Sequence, residues 1–117
     1  MKKIYHLSSC STCKRILNEL EPSSAYILQE IKQDPLTEEQ VDEMYELAGS
    51  YESLFSKRAQ LYKERDLKDK IFEDEDYKNL ILEHYTFLKR PVVINNDKIF
   101  IGNSKSTVEA AKKAMNE

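Results

Sequence analysis

The hydrophobic period changes twice within the first 31 residues, and that pattern constrains the fold more than any other feature of the chain. "KKIYHL" is a short strand carrying Ile4, Tyr5 and Leu7, and it stops at a cluster of serines and cysteines. From Thr12 the spacing alters. Cys13, Ile16, Leu17 and Leu20 fall at i, i+3, i+4 and i+7, the apolar stripe of a helix, with Pro22 just beyond its end. "AYILQEI", residues 25 to 31, reads as a second, largely buried strand. Strand, helix, strand in this order favours a parallel βαβ unit with Cys10 at the turn from strand to helix.

The remaining segments extend that plan. In "PLTEEQVDEMYELAG", Thr37 and Gln40 form a capping-box signature ahead of Val41, Met44, Tyr45 and Ala48 on one face, and Gly49 follows. "SYESLFSKRAQLYKERDL" holds one or two short helices. "EDEDYKNLILEHYTFL" is a further helix, with acids at its start and Leu80, Ile81, His84 and Tyr85 along it. "RPVVINNDKIFIG" is a hairpin, Val92 to Ile94 and Lys98 to Ile101 flanking an "NND" turn. "SKSTVEAAKKAM" starts with capping residues and sets Val108, Ala111 and Met115 on one side of a last helix. No repeat, linker or low-complexity stretch intervenes. The order βαβ, helices, ββα predicts an α/β fold: a thioredoxin-like four-stranded mixed sheet with an inserted helical segment at about 37–86. A chain of 117 residues is then a single domain, residues 1–117.

Composition narrows the function classes. No run approaches the ~18 apolar residues of a membrane span, and the apolar stretch after Lys2 and Lys3 is too short for a secretory signal, so the expected location is cytoplasmic. With 18 basic against 21 acidic residues and a net charge of −3, nothing draws the chain generally to nucleic acid or an anionic membrane. The most charged segment, "KERDLKDKIFEDED", mixes signs and reads as solvated surface. Any anion must be held locally. Two cysteines cannot make a secreted disulfide scaffold, and in a reducing compartment such a spacing is more often catalytic or metal-binding.

The stretch "HLSSCSTCK" concentrates the chemistry. A cysteine at a helix start meets unpaired backbone N–H groups and the positive end of the helix dipole, which stabilise its thiolate. Cys10 occupies that position. From Ser8 to Arg15 there is no acid, the hydroxyls of Ser8, Ser9, Ser11 and Thr12 are donors, and Lys14 and Arg15 add positive charge. Cys13 lies one turn deeper on the apolar stripe, where burial raises a thiol pKa. The two thiols are therefore expected to be unequal, Cys10 being the nucleophile and Cys13 either a resolving partner or a small core residue. A structural zinc would need four ligands, and only His6 and His84 could join the pair, so no metal is expected. His6 reads as a strand-end residue orienting the turn rather than a general base. The same helix start also suits phosphate, arsenate or a sulfur oxyanion.

"IYHLSSCSTCKRILNEL" resembles the N-terminal catalytic motif of the glutaredoxin-like arsenate reductase family, and "LKRPVVINNDKIFIG" resembles its second signature. The likeness spans nearly the whole chain, with "DPLTEEQ" and "LFSKRAQLYKE" in the expected order between them. The resemblance implies a thioredoxin-type fold with a helical insertion. It also implies that Cys10 attacks arsenate, that the adduct is resolved by glutathione and glutaredoxin, that Arg90 clamps the oxyanion, and that Pro91 is a cis-proline beside the thiol. Arg58 falls close to where the family supplies another arginine, with Ser56 and Lys57 as alternative matches. Independently of the resemblance, chemistry supports Arg90, whose planar guanidinium grips two oxyanion oxygens at once; the lesser alternative is a surface cation near the end of the preceding helix.

Two positions depart from the family pattern. Its glutaredoxin-dependent members usually carry serine where this chain has Cys13, so an internal disulfide becomes available here. They also carry an arginine shortly before the last helix, where this chain reads "IGNSKS", with Gly102 and Asn103 at that place and Lys105 the nearest cation. The expected function is thus a thiol oxidoreductase acting on arsenate, a related oxyanion or a disulfide. Ser11, Thr12, Lys14, Arg58 and Pro91 are expected to line its oxyanion site around Cys10, Cys13 and Arg90. No bound cofactor is expected, and glutathione with glutaredoxin, or thioredoxin, would donate electrons. The alternative is a redox-sensing regulator of the related Spx type that binds RNA polymerase through a Cys10–Cys13 switch, and a third reading leaves both cysteines unreactive.

Overall fold

The sequence periods resolve into regular elements in a computed structural model that describes residues Met1–Glu117. In chain order they are β1 (Lys2–His6), α1 (Ser11–Leu20), β2 (Ile27–Glu30), α2 (Glu38–Ala48), α3 (Gln60–Glu64), α4 (Asp74–Glu83), β3 (Val92–Asn95), β4 (Lys98–Ile101) and α5 (Lys105–Met115). Short 3-10 turns lie at Glu52–Leu54, Leu67–Asp69 and Tyr85–Phe87. The chain forms two compact units, residues 1–34 with 90–117, and residues 35–89.

The first unit is built on one mixed sheet in the order β2-β1-β3-β4. β1 and β2 are parallel, with Ile4 opposite Leu28 and His6 opposite Glu30. β1 pairs antiparallel with β3, and β3 with β4, placing Val93 opposite both Ile4 and Phe100. The hairpin turns at Asn96, whose φ of +59° is one that asparagine tolerates better than most residues. A parallel pair cannot be joined by a tight turn, so α1 has to cross from β1 to β2. Its apolar stripe makes that crossing stable: Cys13, Ile16 and Leu20 are buried. Ile16 and Leu20 join Ile4 and Val93 of the sheet, Tyr26, and Val108 and Ala111 of α5 in one core cluster. The Asn95 amide also donates to the Ala114 carbonyl at 3.0 Å, fastening the end of α5 to β3.

Two expectations need correction. Residues 25–31 were expected to form a largely buried strand, yet Ile27 is 63% and Leu28 48% exposed, and the buried residues here are Tyr26, Gln29 and Ile31. β2 lies at the edge of the sheet with β1 as its one neighbour, so helices cover it less than they cover the central strands. The helix expected to run through His84 and Tyr85 instead ends at Glu83. His84 adopts an extended conformation, and its Nδ1 accepts the Thr86 N–H at 3.1 Å, which stops the helix and starts a 3-10 turn.

In the second unit, α2 begins with the reciprocal Thr37–Gln40 capping box and ends at Gly49 in the left-handed region. Lys78 of α4, almost wholly buried, reaches Glu38 at 2.8 Å and Asp42 at 3.0 Å, joining α4 to α2. Phe55 packs on Phe87 at 5.3 Å and on Tyr77 at 5.1 Å between ring centroids. The 3-10 turns at Glu52–Leu54 and Tyr85–Phe87 are laced by the Ser56 N–H to the Phe87 carbonyl and the Lys89 N–H to the Leu54 carbonyl.

The exposure contrast yields a stability prediction. Ile16→Ala opens a cavity in the core cluster and should cost about 2–5 kcal/mol, whereas Ile27→Ala should stay within about 0.5 kcal/mol of the parent. Urea unfolding of the two variants would check the ranking, which hydrophobicity alone does not provide.

Candidate active site at the Cys10 turn

β1 delivers the chain to a four-residue turn, Leu7 to Cys10, closed by the Cys10 N–H donating to the Leu7 carbonyl at 3.1 Å. Cys10 is the N-cap of α1, with extended φ and ψ, and its carbonyl accepts the Lys14 N–H at 3.1 Å. Its side chain makes no capping hydrogen bond. The first-turn N–H groups of the helix are therefore left to stabilise a thiolate. Both cysteines are free thiols; Cys10 is half-buried and Cys13 is fully buried.

The surroundings divide the two sulfurs. Burial opposes ionisation of Cys10, but the Cys13 N–H, the Cys13 thiol, the Arg90 charge and the Thr12 N–H together hold its pKa below the ordinary thiol value. Burial dominates at Cys13 and, with the charge of Cys10 and the hydrogen bond between the two sulfurs, pushes it up to about 11 despite a backbone hydrogen bond from Leu7 and the charge of Arg90. Cys10 thus favours negative charge, and Cys13 keeps its proton and donates a hydrogen bond to it. That is the inequality expected from a helix start above an apolar stripe, with the additional feature that each thiol shifts the other.

The approach from the sheet supplies Arg90 and Pro91, which precede β3. The Arg90–Pro91 peptide is cis, and Pro91 is buried. The Pro91 carbonyl accepts the Gly102 N–H at 2.9 Å, tying the start of β3 to the end of β4. Gly102 and Asn103 fall in the segment where the resemblance leads one to expect a further arginine, and the Gly102 φ of +93° is one that side chains rarely adopt. The backbone there suits glycine. Asn103 and Lys105 are exposed.

Other sequence candidates are placed as follows. Ser11 and Lys14 are exposed on α1 and Thr12 is half-buried. The Arg90 charge acts on both sulfurs. Arg58 lies in an exposed turn ahead of α3 in the second unit. Ser8, expected to offer its hydroxyl toward the turn, instead donates both its N–H (2.7 Å) and its hydroxyl (2.9 Å) to Oε2 of Glu30. Oε1 of the same carboxylate accepts the N–H groups of Lys32 and Gln33, each at 2.8 Å. Burial opposes this charge, yet the donors lower the Glu30 pKa to about 2. Because the folded value lies below an ordinary glutamate's ~4.3, the clamp's contribution to stability is present above that value and is lost as pH falls toward 2. Glu30 belongs to no local motif around the cysteines. The one sequence hint was its position, the last residue of the strand beside β1.

No group of three or more His, Cys, Asp or Glu side chains is placed to hold a metal ion. No helix is long and apolar enough to cross a membrane.

A family model described as the ArsC family matches residues 5–111, a span that takes in Cys10, Cys13, Arg90 and Pro91. An arsenate reductase of Yersinia enterocolitica is 28% identical across 78% of this chain and 66% of its own length, so the match spans just under two thirds of that relative. Among solved structures, an arsenate reductase from Vibrio cholerae is similar with a TM-score of 0.73 at 24% identity, covering 97% of this chain and 96% of that one. A protein from Staphylococcus aureus is similar at 27% identity with a TM-score of 0.73, covering 95% of this chain and 98% of that one. The chain shares the thioredoxin-like α/β fold of these structures.

The inequality of the thiols is directly measurable. In reduced protein, iodoacetamide at neutral pH should label Cys10 and spare Cys13, as peptide mapping by mass spectrometry would read. A lowered pKa populates the thiolate at lower pH, so the Cys10 rate should rise through a midpoint below that of a free thiol. Cys13 should react only near its own pKa of about 11 or after unfolding.

Proposed function

The chain belongs to the ArsC family, and from that premise we propose that it is a thiol oxidoreductase whose nucleophile is the Cys10 thiolate and whose substrate is arsenate or a related oxyanion. The observation that carries this reading is the place of Cys10 as the N-cap of α1, its side chain capping nothing, with a second thiol buried three residues on. A structural cysteine has no need of a helix start. A nucleophilic thiolate does.

The chemistry balances with the residues present. Cys10 sulfur attacks pentavalent arsenic, an As–O bond breaks, and the oxygen leaves as water after taking up a proton. Arg90 grips two oxygens of the oxyanion, while the N–H groups of Ser11 and Thr12 offer the helix start to the charge that develops. A second thiol then attacks the Cys10 sulfur. The S–S bond forms, the S–As bond breaks, and the electron pair stays on arsenic, which departs as trivalent arsenite.

Cys13 is the nearest candidate for that second thiol, and glutathione is the external one. Its raised pKa keeps Cys13 protonated while the adduct forms, so it donates a hydrogen bond to the attacking sulfur first and resolves later. Glutaredoxin or thioredoxin would return the resulting disulfide to two thiols by exchange, a cycle that suits the reducing cytoplasm. With Gly102 and Asn103 at the place of the expected further arginine, binding of the oxyanion leans more heavily on Arg90, and Lys14 is the exposed cation of α1 to examine. The catalytic reading is preferred to the polymerase-binding one because the Cys10 site suits thiolate chemistry on a small anion.

Arsenate turnover with glutathione and glutaredoxin tests the proposal. Cys10→Ser should abolish it, and Arg90→Ala should lower kcat/KM by roughly 10²–10³, the usual effect of removing one group that stabilises developing charge. After one turnover without glutathione, the wild type should hold a Cys10–Cys13 disulfide and Cys13→Ser should not. A wild type that turns over neither arsenate nor another oxyanion would defeat the proposal.

A further inference from the structure

Between the end of β1 and the start of α1, Leu7 is buried but the two residues after it are not. Ser8 and Ser9 are exposed, and the backbone bond closing the turn runs from Cys10 back to Leu7. Yet the chemistry proposed for Cys10 needs its sulfur held at the helix start, where the N–H groups of Thr12 and Cys13 favour its thiolate, because hydrogen-bond donors weaken steeply once out of line. Something outside the turn has to fix it.

Glu30 is placed to do so. The parallel register sets it opposite His6, the last residue of β1, and the Ile31 N–H donates to the His6 carbonyl at 2.9 Å, locking the two strand ends together. From there one carboxylate oxygen takes both donors of Ser8, two residues before Cys10, and the other takes the N–H groups of Lys32 and Gln33. A single side chain thus bolts the turn that leads to Cys10 onto the end of β2 and the bend that follows it.

We propose that Glu30 is a positioning residue for the Cys10 nucleophile, acting by holding Ser8 and through it the helix start; the proposal rests on the reading of Cys10 as the nucleophile. The sign of the charge distinguishes this role from an electrostatic one. A carboxylate near a thiol raises the thiol's pKa by repulsion, so removing the charge alone would make Cys10 more acidic. Releasing the turn acts the other way, because the N–H donors lose their alignment with the sulfur and the thiolate loses its support. The two effects have opposite directions, and the position of the Glu30 bonds predicts the second.

The test compares the alkylation rate of Cys10 against pH in the wild type, Glu30→Ala, Glu30→Gln and Ser8→Ala, with Cys13 labelling as an internal measure of an intact fold. Glu30→Ala should raise the Cys10 pKa and slow alkylation at pH 6 to 7 by about three- to tenfold, a shift of up to one unit, while Cys13 stays protected. Glu30→Gln keeps one oxygen for Ser8 but turns an amide group toward other N–H donors, so it should move Cys10 the same way by less. Ser8→Ala removes the hydroxyl bond and keeps the N–H bond, and should also give a smaller shift in that direction. If Glu30→Ala does not fold, Glu30→Gln and Ser8→Ala carry the test. A Cys10 pKa unchanged or lowered in the folded variants would overturn the positioning role. The wild-type profile stands apart from this comparison: a wild-type Cys10 that titrates like a free thiol would defeat the nucleophile reading itself.

Discussion

The start of α1 is the constraint on which the rest of the structure turns. A helix leaves its first backbone N–H groups without partners, and ordinary sequences cover them with a serine, threonine or aspartate side chain. Here the covering residue is Cys10, whose thiol closes no such bond. The resulting deficit of acceptors favours negative charge on the sulfur, and the neighbouring Cys13 thiol and Arg90 add to it. Everything else in the first unit can be read as keeping that helix start in place: the parallel β1–β2 pair that obliges α1 to cross over, the stripe that seats α1 on Ile4 and Val93, and the hairpin that brings Arg90 to the sulfurs.

Burial and charge divide the labour between the cysteines. Three residues along a helix is less than one turn, yet it moves a side chain from the exposed start to the buried stripe. Cys13 at 0% exposure therefore costs more to ionise than Cys10, and the charge on Cys10 raises that cost further. A serine at the same place could also donate to Cys10, but it could not form a disulfide. The departure at Cys13 adds a thiol near the site, and the charge of Arg90 acts on both sulfurs.

Legibility in the sequence followed the range of the interactions involved. The Cys13–Ile16–Leu20 stripe, the Thr37–Gln40 box and the Val92–Ile101 hairpin were readable because each is a pattern within about a dozen residues. Ile27 and Leu28 were misread because an edge strand and a central strand carry the same local pattern, and neighbours decide which one is covered. His84 was misread because the bond from Thr86 to its ring competes with the helix, a choice that hydrophobic spacing does not register. Glu30 was missed because its partner Ser8 lies 22 residues away and the bond exists only once β1 and β2 are in register.

By itself the sequence determined the order of elements, the mixed α/β sheet and the placing of Cys10 at a helix start, since these follow from hydrophobic period and from the spacing of a few residues. Tertiary structure decided which groups surround the sulfur. Arg90 stands 80 positions along the chain from Cys10, and its charge reaches the thiols only because β3 pairs with β1. Likewise the carboxylate that steadies the turn arrives from β2, across a parallel pairing. Local pattern sets where backbone donors point, whereas charges and clamps from distant segments depend on register, and register exists only in the folded sheet.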